Sequence, residues 1–115
     1  MSNMRNKVQL IGRLGAKAET MHFDSGKVKA SFSIATKDVF KNAKGEKVEE
    51  TTWHYIVAWG KAAEIIEKYT DKGSEIAIEG RLSNRSYEDK DGNKKFITEV
   101  IAEEILLLGE KTVSS

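Results

Sequence analysis

Apolar and polar residues alternate along most of this chain, and turn-forming residues cut the alternation into short pieces. In "NKVQLIGRL", Val8, Leu10 and Leu14 fall on one face and Lys7, Gln9 and Arg13 on the other. "FDSGK", Phe23 to Lys27, reads as a turn. "KVKASFSIAT" then sets Val28, Ala30, Phe32 and Ile34 against Lys27, Lys29, Ser31 and Ser33, the period-2 pattern of a half-buried strand. "KNAKGEKVEE" reads as a charged, mobile loop. "TTWHYIVAW" is β-branched and aromatic, which makes it a third strand. In "GKAAEIIEKYTDKG" the period changes: Ala62, Ile65, Ile66 and Tyr69 form one helical stripe, with Gly73 as the C-terminal cap. "SEIAIEGRLSNRSY" returns to strand, with Ile76, Ile78 and Leu82 on one face. A turn at Asp91-Gly92 leads into "KFITEVIAEEILLLG", a last strand with a bend at Glu103-Glu104.

Three strands, one helix and two strands do not make a flat sheet that a single helix can cover. The economical closure is an all-β, five-stranded Greek-key barrel with one short helix between strands 3 and 4, the order of the OB-fold. A length of 115 residues without repeats, low-complexity segments or proline fits a single domain, placed at 1–109 and followed by a short flexible remnant at 110–115.

Composition narrows the chemistry. Nineteen basic and 18 acidic residues leave a formal net charge of +1, so bulk charge does not attract a polyanion. If an anion binds, charge is sorted locally and aromatic contacts carry much of the affinity. The absence of cysteine excludes disulfides, thiolate metal sites and a cysteine nucleophile. No apolar run approaches the roughly 18 residues of a membrane span, and the start "MSNMRNKVQL" has no signal-peptide stretch. A cytoplasmic protein without membrane contacts is expected. Catalysis has no support: there are two histidines, His22 and His54, and no nucleophile elbow, phosphate-binding Gly-Lys loop or zinc-protease motif. "YEDKDGN" fails as a calcium loop, because aligning Gly92 puts Tyr87 at the first ligand position. No metal or cofactor is expected.

The aromatic residues are the remaining signal. The third strand divides into Trp53, Tyr55, Val57 and Trp59 on one face and His54, Ile56 and Ala58 on the other. The bulky set is either core or an exposed binding face. The other strands already supply a full apolar interior. Opposite Ile76, Ile78 and Leu82, the fourth strand carries Arg81, Arg85 and Tyr87, a combination of cations for phosphates and a ring for bases.

"NKVQLIGRLG", "FSIAT", "TTWHYIVAWGKAAE" and "YTDKGSEIAIEGRLSNRSYEDKDGNKKFITEV" together resemble the bacterial-type single-stranded DNA-binding proteins, from about Asn6 to Leu108. The resemblance implies an OB-fold homotetramer that wraps single-stranded DNA in replication, recombination and repair, at the nucleoid. It implies stacking of bases on Phe40, Trp53, Trp59 and Tyr87, and a place near the subunit interface for His54. Trp53 and Trp59 lie six residues apart, about 20 Å along a strand, which suits separate nucleotides. Arg13, Lys29, Arg81, Arg85 and Lys95 are the candidates for phosphate contacts. Tyr55 shares the parity of the tryptophans and is either a further base contact or interface packing. Phe32 and Tyr69 are assigned to the core, and Phe23 and Phe96 to core or rim. Two departures stand out. "LGAKAE" lacks the proline that the family often carries in this turn. After "LLLGEKTVSS" there is no Gly- and Pro-rich tail with an acidic tip, so tail-dependent partners are not expected. The competing reading is an OB-fold module that binds RNA or docks protein.

Overall fold

The computed structural model describes residues 4–108. After a 3-10 turn at Met4–Asn6 come β1 (Val8–Leu14), β2 (Glu19–His22), β3 (Val28–Lys41), β4 (Lys47–Trp59), α1 (Lys61–Tyr69), β5 (Glu75–Glu88) and β6 (Lys94–Leu107). They form one sheet in the order β1-β5-β6-β4-β3-β2. Arg13 and Leu14 of β1 also pair with Ala35 and Ile34 of β3, which closes β1, β3, β4, β5 and β6 into a barrel. All pairings are antiparallel except a short parallel one, Ile56 to Ala58 beside Val100 to Ala102. This is the OB-fold barrel expected from the pattern. The assigned domain end at 109 and the remnant at 110–115 lie outside the described residues.

The core follows the period-2 pattern. Val28, Ala30, Phe32 and Ile34 of β3 meet Ile56 and Ala58 of β4, Ile76 and Ile78 of β5, and Val100 and Ala102 of β6, with Leu14 and the helical Ala63 and Ile66. Phe32 is the one aromatic ring in this cluster. The helix packs against β3, β4 and β6. Among the described residues no helix is long and apolar enough to cross a membrane.

Four local expectations are corrected. The segment read as a mobile loop is a paired arm: β3 and β4 stay in register out to Lys41 and Lys47. Asn42 Oδ1 accepts from the N–H groups of Lys44 and Glu46, and Gly45 takes the positive φ that the turn requires. The β5–β6 arm repeats the device, with Asp89 Oδ1 accepting from Asp91 and Asn93 and Gly92 at positive φ. Second, the buried helical residues are Ala63 and Ile66, not a stripe through Ala62, Ile65 and Tyr69. Tyr69 is 66% exposed and is not core. Third, Thr70 ends the helix, donating its hydroxyl to the Ile66 carbonyl at 2.6 Å. Gly73 instead shapes the following turn and donates its N–H to the Leu14 carbonyl. Fourth, Leu82 is exposed, because β5 has left the barrel for its arm by that point.

The bend at Glu103-Glu104 is a β-bulge. Glu79 pairs with Glu104 and Gly80 with Ala102, so Glu103 has no partner across the ladder. A side chain on Gly80 would run into the carbonyl of Ile101. Gly80→Ala is expected to destabilise the barrel by about 1–3 kcal/mol through overpacking. Urea unfolding followed by circular dichroism measures it; an unchanged midpoint would mean that β5 and β6 separate freely at the bulge.

Candidate nucleic-acid interface

Cross-strand partners lie on the same side of a sheet, so register alone assembles the outer surface. On β4 that surface carries Trp53, Tyr55, Val57 and Trp59. Their partners on β3 are small or flexible: Ala35, Ser33, Ser31 and Lys29. Val57 pairs on its other side with Ile101 of β6, which pairs with Arg81 of β5. By alternation, Ser83, Arg85 and Tyr87 follow Arg81 on this side. Arg13, opposite Ala35, extends it onto β1. One outer face thus joins both tryptophans to Tyr87 and to all five candidate cations.

The rings differ in their surroundings. Trp53 leans over Gly15, where a Cβ would come within 2.7 Å of its Cζ3 atom, so glycine makes room for the indole. Trp53 and the half-buried Tyr55 line an open groove of about 420 Å³ with Gly15, Lys17 and Ser33. Trp59 lies nearly parallel to Phe23, with centroids 6.0 Å apart and 20° between the planes, and Lys29 Nζ sits 5.6 Å from its centroid. Tyr87, opposite Lys95, is on the β5–β6 arm. Phe40, opposite Val48, is on the β3–β4 arm. Its parity is that of Phe32 and Ile34, so it takes the other side of the ribbon from Trp53. All four rings are between 44% and 59% exposed. Val57 shares their parity but is buried, at the place where β4 joins β6.

Most of the cations face carboxylates. The Arg13 guanidinium donates to the Gly73 carbonyl at 3.0 Å and lies 3.9 Å from Glu75. Arg81 lies 3.4 Å from Glu103, and Lys95 3.9 Å from Asp89. Arg85 Nε donates at 3.1 Å to Glu99, whose side chain is almost wholly buried. Among the described residues, Lys29 is the one of the five with no carboxylate within 4 Å. His54 is turned from this face. It shares the parity of Ile56 and is hydrogen-bonded to Thr36 Oγ1 at 2.9 Å.

Sequence reasoning missed β2, and with it the place of Phe23. Met21 pairs with Lys29 and Glu19 with Ser31, so the odd residues of β2 share the outer face. Thr20 and His22 point the other way, and both donate to Glu67 of α1, at 3.2 and 2.8 Å. The His22 hydrogen bond is the main cause that holds the Glu67 carboxyl below its ordinary value; burial opposes it, and the Thr20 hydrogen bond adds to the lowering. That tie is therefore present above the ordinary carboxylate range and lost as pH falls through the lowered one. The alternation of Thr20 and His22 with Met21 and Phe23 was the available signal, but four residues are too few to stand out. Phe96, left between core and rim, is among the most exposed of the large apolar side chains, with Lys94 Nζ 5.6 Å from its ring centroid. No group of three or more metal-ligating side chains occurs among the described residues.

A profile of the Single-strand binding protein family matches residues 5–108. Single-stranded DNA-binding protein 1 of Chlorobaculum tepidum is 45% identical over 112 residues, covering 96% of this chain and 69% of that protein. Single-stranded DNA-binding protein 1 of Xylella fastidiosa is 43% identical over 107 residues, covering 92% of this chain and 79% of that one. Among solved structures, the Plasmodium falciparum SSB complex with ssDNA superposes with a TM-score of 0.83 at 30% identity, covering 90% of this chain and 95% of that one. A deletion mutant of the single-stranded DNA binding protein from Thermus aquaticus gives a TM-score of 0.78 at 34% identity, covering 90% and 50%.

The exposure of the two indoles has a direct consequence for stability. Trp53→Ala and Trp59→Ala are each expected to cost well under the roughly 3–5 kcal/mol of a core tryptophan, whereas Phe32→Ala should cost that much. Thermal unfolding of the three variants checks the order; a tryptophan variant as unstable as Phe32→Ala would return that ring to the core.

Proposed function

The chain belongs to the Single-strand binding protein family, and we propose that it binds single-stranded DNA by stacking bases on Phe40, Trp53, Trp59 and Tyr87 while neighbouring cations meet the phosphates. The observation that carries this reading is that the barrel is filled without these rings, which stand exposed on its outer face and arms. A stacked base contributes about 1–3 kcal/mol and brings little sequence preference, since every base has a π-face. Duplex is a poor ligand because its bases hide those faces. No bond is made or broken: the protein acts stoichiometrically, covering single strands in replication, recombination and repair in the cytoplasm, at the nucleoid.

The phosphate contacts are Arg13, Lys29, Arg81, Arg85 and Lys95, of unequal strength. Lys29 stands over Trp59 and gives up no carboxylate when it turns to a phosphate. Arg85 is the opposite case. Leaving Glu99 would strand a buried carboxylate, which is costly. Tyr55 joins as a further base contact, since it lines the same groove as Trp53.

Titrating the tryptophan fluorescence with oligo-dT is expected to show saturable quenching that duplex does not reproduce. In the same assay Lys29→Ala should lower the log–log salt slope by about 0.7, the value for one lost phosphate contact on a single strand. Arg85→Ala should lower it less. Quenching by duplex as strong as by oligo-dT would sink the reading, and equal quenching by oligo-U would move it to RNA.

The working unit is a homotetramer, with His54 near a subunit interface. Two features support assembly. Among the described residues, β1 from Val8 to Gly12 pairs with β5 on one edge only, and an open edge invites another strand. Ile11 and Leu106 stand exposed beside a groove also lined by Leu10 and Ile105. Four copies multiply the contacts with one strand through effective concentration. Light scattering at micromolar concentration should give about four times the 12.9 kDa chain mass; a monomer would refute the assembly.

A further inference from the structure

We infer that Phe23 is an additional base-stacking position, forming with Trp59 one composite aromatic platform at the β2 edge of the outer face; the inference rests on the single-strand binding reading. Three observations converge on it. The first is direction. Phe23 continues the parity of Glu19 and Met21, whose partners Ser31 and Lys29 are on the same side as Trp59. Its ring is 39% exposed at the surface that both tryptophans occupy.

The second observation is the pairing of the rings. With centroids 6.0 Å apart and planes inclined by only 20°, Phe23 and Trp59 are offset, nearly parallel partners. A direct face-to-face sandwich would bring the centroids closer, so each ring keeps part of its π-surface uncovered. Two near-parallel rings present a longer apolar step than either alone. Lys29 Nζ, 5.6 Å from the Trp59 centroid, places a cation where the phosphate of a stacked nucleotide needs one.

The third observation is rigidity. Phe23 opens the β2–β3 turn, where its N–H donates to the Lys27 carbonyl at 2.8 Å and its carbonyl accepts from Gly26 at 2.9 Å. The preceding residue, His22, is tied to Glu67 on α1, as is Thr20. The even residues of β2 thus fasten the strand to the helix, and the odd ones face outward. A ring held in place before the ligand arrives loses little entropy on binding. The strand β2 lies outside the five-stranded barrel, and presenting Phe23 gives it a purpose that closing the barrel does not.

The test is oligo-dT affinity at fixed salt for Phe23→Ala, Phe23→Tyr, Trp59→Ala and the double variant of Phe23→Ala with Trp59→Ala. Phe23→Ala is expected to weaken binding about tenfold, within the range for one stacked base. Phe23→Tyr keeps the ring and should stay within about twofold of the unmodified protein. In the Trp59→Ala background, Phe23→Ala should still cost several-fold, because the ring touches the strand itself. Unaltered affinity in Phe23→Ala would overturn the inference. So would an effect that vanishes once Trp59 is gone, since Phe23 would then only prop the indole. Thermal unfolding controls for the fold, and Phe23→Leu, which keeps apolar bulk, should bind as weakly as Phe23→Ala. An unmodified protein that fails to bind oligo-dT would overturn the underlying reading and this one with it. Normal binding with an unaffected Phe23→Ala would overturn this one alone.

Discussion

Four neighbouring strands meet in a row of residues with almost no side chain. Ala30 of β3 pairs with Ala58 of β4, Ala58 with Ala102 of β6, and Ala102 with Gly80 of β5. The next row, toward the arms, is bulky: Phe32, Ile56 and Val100 are buried, and Leu82 is exposed where β5 leaves the barrel. The narrow row lets the sheet curl tightly, and the bulge at Glu103 accommodates the curl on β6. The three strands that contribute the alanines are the ones against which α1 packs. A barrel closed this tightly holds one phenylalanine and no indole. The tryptophans are outside because the inside is full, and a surface for flat ligands follows from that steric limit.

Electrostatics plays a smaller part than the ligand class would lead one to expect. The chain is almost neutral, and four of the five cations proposed for phosphate already face carboxylates. Exchanging a carboxylate for a phosphate changes partners without gaining a full new attraction. Exposed pairs contribute little in any case, so their loss is tolerable. The buried Glu99 is different, because its charge has been taken out of water and depends on Arg85. Arg85 therefore belongs first to the stability of the outer face and second to the ligand. In the proposed binding mode the rings carry most of the affinity, and the cations adjust its response to salt.

How far the sequence could be read depended on how much context each signal needed. The barrel strands were legible because alternation over eight or more residues in β3 is hard to mistake, and the core residues Val28, Ala30, Phe32 and Ile34 follow from it directly. The two tryptophans could not be placed by alternation alone, since Val57 shares their parity and is buried. Only the fullness of the core separates them. The arm of β3 and β4 was hidden because charged residues on a two-stranded ribbon look like a loop, and what pairs them is the Asn42 turn. The helix had the right length and a shifted phase. Ile66 is buried as the stripe required, but its buried companion Ala63 is smaller and less apolar than the Ile65 and Tyr69 that the stripe included, so ranking positions by hydrophobicity favoured the wrong phase. β2 depends on pairing with β3 and on bonds to Glu67, neither of which a local pattern can show.

The aromatic surface is built from two kinds of support. Trp53, Tyr55 and Trp59 stand on strands whose inner sides are buried in the core, and Phe23 is tied through β2 to the helix. Phe40 and Tyr87 stand on arms in which most residues around them on both strands are exposed, with Val48 opposite Phe40 half-buried. An arm is held by its own ladder and turn, and a two-stranded ribbon without a core is only marginally stable on its own. Local opening there costs less free energy than opening the barrel. The barrel rings are therefore preorganised, and in the proposed binding mode they stack bases with little ordering cost. In that mode the arm rings must lose motion to bind, but they can follow a strand whose path varies. A ligand with no fixed sequence and a pliable backbone suits this division: rigid platforms fix part of the strand, and the arms adjust to the rest.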